Sequence, residues 1–141
     1  SFPLFKQCGQ SWSSQLISTD TICKSGCLMT SMCMALNGRG KTSMNPGQFA
    51  SWLKSNGGFS GNLFVWGSVS KFGLTYEGKI KGTSSIASQL CAGKIVILNV
   101  RYGGHWVLAT GFDGSSFTVN DPGYSKSSYA ASEVTQAAIY H

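Results

Sequence analysis

At 141 residues the chain has the length of one ordinary domain and can bury roughly two-thirds of its unfolded surface. Hydrophobic residues make up 42% and charged residues 11%, which excludes a disordered tail; no apolar run, such as Ile95-Val96-Ile97-Leu98, approaches the ~20 residues that cross a bilayer. The net charge of +6 reflects scarce acids, and the bases are scattered without the clustering that nucleic-acid binding demands, so the diffuse field suits acidic polymers such as bacterial cell-wall material.

No repeat or linker divides the chain, and residues 1–141 are read as one domain, expected to be a monomer. Residues 1–24 are polar and predict an extended arm and loop. From Cys27 to Leu36 nearly every residue is an apolar helix former, and Asn37-Gly38 ends the run, which predicts a buried central helix. Asn45-Pro46-Gly47 gives a capped start with Pro at the first helical position, followed by Phe49, Trp52 and Leu53 at helical spacing. Residues 62–72 suggest a third short helix, 74–80 a strand, and 84–91 a further helix. Strands are expected over 94–101, 105–112 and 116–120, with Asp113-Gly114 as the hairpin turn between the last two, and 133–140 as a final strand or short helix. Helices first and an antiparallel sheet second make an α+β fold with the buried helix on one sheet face.

His105 is the one internal histidine. If the turn is Asp113-Gly114, His105 lies opposite residue 121 or 122, and in the even register it is a direct cross-strand neighbour of Asp121, ~5 Å between Cβ atoms. The odd register needs a bulge to join them. An aspartate there holds the imidazole tautomer and stabilises its protonated form; the same aspartate, standing before Pro122, also suits a turn cap.

Cys27 follows Gly26 at the first turn of the buried helix, where unpaired N–H groups and the macrodipole favour a thiolate and the Cys27 N–H can serve an oxyanion. Gly26 lets a substrate approach the backbone. The competing reading is a small buried hydrophobe, which suits mid-helix Cys33 better. Cys23 is a rival nucleophile, a disulfide partner or a redox neighbour. Cys23, Cys27 and His105 offer three zinc ligands, but no second Cys/His pair follows at finger spacing, so neither a metal nor another cofactor is expected. Trp106, beside His105, is a candidate wall of the cleft.

Five cysteines allow at most two disulfides and leave one thiol; if Cys8, Cys23, Cys33 and Cys91 pair among themselves, Cys27 remains. That content, with a first residue other than Met, is compatible with a mature chain after signal-peptide removal, secreted or lysosomal/phagosomal.

The string Gly26-Cys27-Leu28-Met29-Thr30-Ser31, leading to Met34-Ala35-Leu36-Asn37, resembles the nucleophile helix of papain-like cysteine peptidases. The branch is that of the bacteriocin-leader-processing peptidases and their stand-alone relatives. Gly104-His105-Trp106-Val107 with Gly111 resembles the family's histidine strand, Asp121-Pro122-Gly123 its acid, and Phe5-Lys6-Gln7 with Trp12 its opening; the middle, with Pro46, Trp52-Leu53 and Asn56-Gly57, also fits the pattern, so the likeness covers essentially the whole chain. It implies a papain-like fold with Cys27 as nucleophile, His105 as general base and acid, and Asp121 as orienting carboxylate. It extends substrate or oxyanion contacts to Thr21, Gln7, Gly26, Gly104 and Trp106. Papain-type members have Gln six residues before the nucleophile, where this chain has Thr21; Gln7, Gln15 or the Thr21 hydroxyl must then give the second oxyanion donor. Cys23 stands where relatives tend to have Gly, and marks a local disulfide with Cys8 as the partner.

The expected function is hydrolysis of a peptide or amide bond through a thioester, with bacterial cell-wall peptide (peptidoglycan) among the candidate substrates. An acyltransferase would use the same triad. A binding module of this fold without turnover, or a disulfide-stabilised cell-wall binder with Cys27 in a bridge, are the rivals from another class.

Overall fold

The computed structural model describes residues 1–141. Helices come first: α1 (Ile22–Ser25), α2 (Cys27–Gly38) and α3 (Pro46–Ser55). A small hairpin of β1 (Phe59–Ser60) and β2 (Leu63–Phe64) leads into a 3-10 helix over Trp66–Phe72. Then come β3 (Tyr76–Ile80), α4 (Thr83–Cys91), β4 (Ile95–Val100), β5 (His105–Phe112), β6 (Ser116–Asn120), β7 (Ser128–Ala130) and β8 (Gln136–Tyr140).

Six strands form one antiparallel sheet in the order β3-β8-β4-β5-β6-β7. The C-terminal strand β8 thus lies inside the sheet, between β3 and β4. Every residue of β4 is buried, because both faces of the sheet are covered. On one face Ile95, Ile97, Leu108, Ala138 and Tyr140 pack with α2 and α3. On the other, Val96, Leu98, Val107, Ala109 and Phe117 pack under Ile86 of α4. The expectation of a single covered face is therefore incomplete, since α4 closes a second core.

Local chemistry accounts for the helix ends. Asn45 and Gln48 make a reciprocal capping box at α3, each side chain accepting from the other's backbone N–H at 2.9 Å, with Pro46 in the first turn. α2 is buried from Met29 through Leu36, as a helix apolar on most sides must be.

Three expectations change. Residues 62–72 hold β2 and a 3-10 helix in place of an α-helix; Gly73, left-handed at φ 84°, ends the latter. Within residues 1–24 the last turn is helical, because the Thr21 hydroxyl accepts from Lys24 N at 3.2 Å and nucleates α1. Only one disulfide forms, Cys8–Cys23, so Cys27, Cys33 and Cys91 are all free thiols. Cys33 is enclosed within α2's side of the core while Cys91 is exposed at the end of α4, which keeps the two apart. The bridge closes a loop of 15 residues of sequence separation, a constraint worth about 3 kcal/mol in chain entropy. Replacing both cysteines with serine is expected to lower unfolding free energy by about that amount, measured by urea denaturation.

Candidate active site

The Cys27 position is made by a break between two helices. α1 ends at Gly26, whose N–H donates to Ile22 O at 2.8 Å, and α2 begins at Cys27. A Cβ on Gly26 would stand 2.6 Å from Ile22 O, so a side chain is excluded by α1 itself. That is a different reason from the substrate approach expected from sequence. Cys27 is half-buried at the first turn of α2, where helix N–H groups lack intrahelical acceptors.

His105 opens β5. The turn before it is fixed by Asn99, buried in β4, whose Nδ2 donates to Gly103 O and His105 O at 3.1 Å each. The sequence reading passes over Asn99; a lone polar residue inside Ile95-Val96-Ile97-Leu98-Asn99-Val100 is the signal that points to it.

The β5–β6 register differs from expectation. The two-residue loop is Gly114-Ser115, since Asp113 N donates to Ser116 O and the Asp113 carboxylate accepts from the N–H of Ser115 and Ser116. A bulge between Ala109 and Gly111 then shifts the pairing, giving Leu108↔Asn120. Continued past that pair, the register sets Val107 opposite Asp121 and His105 opposite Gly123. His105 and Asp121 are diagonal neighbours on one face, not direct partners. Their side chains still meet, with His105 Nε2 2.6 Å from Asp121 Oδ1.

Asp121 is fully buried. Its Oδ1 also accepts from Gly123 N at 2.8 Å and Tyr124 N at 3.0 Å, and its Oδ2 from the Tyr129 hydroxyl at 2.5 Å. The turn-capping and histidine-orienting roles coexist in one carboxylate. Burial pushes this carboxyl up, but the hydrogen bonds from His105, Tyr129 and the backbone outweigh it and hold it down at about 2. Burial pushes the His105 imidazolium the other way, and it is overcome by the hydrogen bond to Asp121 and by the neighbouring sulfur of Cys27, which raise it to about 9. With Nε2 on Asp121, Nδ1 is the nitrogen left for Cys27.

The other sequence candidates separate into those at the site and those away from it. Gln7 is buried, with its Nε2 3.2 Å from both Ile22 O and Cys23 O, its N–H on Pro122 O, and its Oε1 without a partner. Thr21 serves α1 as its cap. Gln15 is remote, donating to Gly47 O and Ser51 Oγ. Gly104 and Trp106 line a cavity of about 280 Å³ with Cys27, Leu28, Leu63 and Phe64. Gly104 also borders a second cavity, of about 480 Å³, with His105, Tyr102, Tyr124 and Glu133. Cys33 is inert, its thiol pushed up to about 12 by burial.

Residues 1–140 match the family described as Peptidase_C39 like family. The chain belongs to that family. This makes it a cysteine-peptidase domain. Among solved structures it is similar to a putative C39-like peptidase from Bacillus anthracis, at 16% identity, TM-score 0.66, with 100% of this chain and 94% of that one covered. It is also similar to a double glycine motif protease from an AMS/PCAT transporter, crystallised in complex with the leader peptide, at 17% identity, TM-score 0.64, with 99% and 91% covered. No curated protein matches it. Both neighbours share its fold, helices against a six-stranded antiparallel sheet.

In this C39-like domain Gly123 carries a demand that the sequence hid: a Cβ there would lie 2.7 Å from His105 Cε1 and 3.1 Å from Gln7 Oε1. Gly123→Ala is expected to cost about 1–3 kcal/mol by overpacking and to push the imidazole off Asp121. NMR titration would then show the His105 midpoint falling from about 9 toward its ordinary 6.5.

The pair also sets a pH window for stability. The contribution of His105 is complete below 6.5 and lost as pH rises through about 9, whereas that of Asp121 is complete above 3.8 and lost as pH falls toward about 2. Urea unfolding across this range should show the stability gap between wild type and His105→Gln closing above about pH 9.

Proposed function

We propose that Cys27, His105 and Asp121 form a catalytic triad that hydrolyses peptide or amide bonds. The observation that carries this reading is the 2.6 Å bond from the imidazole to a fully buried carboxylate, with Cys27 close enough to the same ring to help raise the His105 pKa to about 9. An imidazolium beside a thiol is the counter-ion that a thiolate nucleophile needs.

The thiolate sulfur attacks the carbonyl carbon, a C–S bond forms and the carbonyl electron pair moves onto oxygen. The Cys27 N–H is one donor to that oxyanion; the Gln7 amide, once turned from the Ile22 and Cys23 carbonyls, is the second, since Thr21 is occupied as the cap of α1. When the C–N bond breaks, His105 gives its proton to the leaving amine. A water then loses a proton to His105 and attacks the thioester, and a carboxylic acid leaves as Cys27 is restored. Asp121 keeps its negative charge throughout and stabilises each imidazolium.

The cavity beside Cys27 is walled by Leu28, Leu63, Phe64 and Trp106, which supports an apolar residue on the acyl side. The cavity beside His105 receives the leaving amine and the chain attached to it. The Cys8–Cys23 bridge supports an oxidising setting, secreted or lysosomal/phagosomal. The diffuse positive charge supports peptidoglycan peptides as the substrate class. One feature favours a second reading, a binding domain with weak turnover: the Gln7 Nε2 is directed at the Ile22 and Cys23 carbonyls and must turn to meet an oxyanion.

A panel of cell-wall fragments and generic peptides, with and without an amine acceptor, separates these readings. Cleavage by wild type, its loss in Cys27→Ala and a fall of roughly 10²–10⁴-fold in His105→Gln are expected. Acceptor-modified products would make the enzyme a transferase. Binding without cleavage by wild type would leave the second reading standing.

A further inference from the structure

We propose that Arg101 is a positioning residue for the reaction: from the turn before His105 its guanidinium braces Tyr124 against the imidazole. This rests on the triad reading above.

The turn is held in an unusual shape. Arg101 and Tyr102 are the two non-glycine residues with positive φ, 54° and 57°. Side chains rarely adopt that backbone, so something must hold both residues there. Gly103 N donates to Val100 O at 3.2 Å, Gly104 N to Arg101 O at 3.1 Å, and Asn99 Nδ2 ties down Gly103 O. Held this way, Arg101 returns over the loop just after Asp121. Its Cζ lies 3.6 Å from the centroid of the Tyr124 ring. That ring meets His105 edge to face, centroids 4.9 Å apart at 88°. Arg101 also lies near Tyr129, whose hydroxyl donates to Asp121 Oδ2, and each perturbs the other's titration. One side chain thus reaches His105 through the Tyr124 ring.

The chemistry requires arginine. A guanidinium can lie flat on an aromatic ring and still donate from its edge, whereas an ammonium is a point charge that does one or the other. The remaining charged groups near the pair are otherwise engaged. Lys6 Nζ donates to Asp121 O and Tyr124 O, Lys126 lies over the Tyr129 ring, and Glu133 accepts from Ala130 N. None of them lies over the Tyr124 ring.

The test uses the full chain with Cys91→Ser, so that Cys27 is the accessible thiol. Arg101→Gly removes the side chain without backbone strain, because glycine tolerates positive φ. Arg101→Lys keeps the charge. Two readouts need no substrate: the His105 ring-proton titration by NMR, and Cys27 alkylation by iodoacetamide against pH.

Loss of orientation in Arg101→Gly should lower the His105 midpoint by about one unit and slow alkylation near neutrality by roughly tenfold, with the thermal midpoint little changed. Arg101→Lys should fall between the two. A purely electrostatic role predicts the opposite sign, since removing a nearby cation raises the midpoint. A midpoint in Arg101→Gly that stays or rises, or an Arg101→Lys identical to wild type, overturns the proposal. A wild-type His105 titrating at its ordinary value beside an unreactive Cys27 refutes the triad itself, and the Arg101 proposal with it.

Discussion

A carboxylate with no solvent exposure is the constraint around which this structure is arranged. Taking an ion out of water costs several kcal/mol unless its oxygens are met by donors, and Asp121 is met by four: His105, Tyr129, and the N–H groups of Gly123 and Tyr124. Each donor comes with its own support. His105 depends on Asn99 and the left-handed turn, Tyr129 on β7 pairing with β6, and the two amides on the Asp121-Pro122-Gly123-Tyr124 loop. A buried carboxylate satisfied in this way is a fixed negative charge, and the imidazole beside it is held in one orientation. Removal of any partner leaves a charge that the surroundings cannot solvate.

The two-sided core gives that arrangement its rigidity. β4 and β5 are clamped between α2 and α4, so the sheet end that carries His105 has little freedom relative to the start of α2. Ser31 of α2 donates to Trp106 O, next to His105, at 3.3 Å, a direct polar tie between the helix of Cys27 and the strand of His105. The gap between Cys27 and His105 is therefore set by packing far from either side chain.

Much of this is legible in the sequence, in proportion to how local the signals are. The burial of α2 comes from a stretch apolar at nearly every position, and the α3 start from its capping residues. β5 and β6 come from alternation and a turn residue. The meeting of His105 and Asp121 is readable, and its geometry is not. Asp113-Gly114 reads as the turn, but the Asp113 carboxylate accepts from the next two amides and pushes the loop on by one residue. The bulge at Thr110 shifts it again, and bulges leave little trace in composition. Thr21 stands out by its distance from Cys27 along the chain, yet a cap on α1 absorbs it. Gln7, much farther away in sequence, reaches the site because the arm returns, a non-local fact that spacing cannot carry.

That return of the arm joins the two halves of the site. Gln7 touches α1 through the Ile22 and Cys23 carbonyls and the acid loop through Pro122 O. Its neighbours anchor both sides: Lys6 donates to the carbonyls of Asp121 and Tyr124, and Cys8 is bonded to Cys23. Three consecutive residues thus bridge the helix pair that presents Cys27 and the loop that holds Asp121, elements otherwise on separate layers. The disulfide is the covalent end of that bridge. A cross-link four residues before Cys27 fixes more than the unfolded chain's entropy, because it holds Gln7 against the carbonyls that precede Cys27. The arm that reads in sequence as a polar leader is, in the folded chain, the crosspiece that keeps thiol, amide and carboxylate in register.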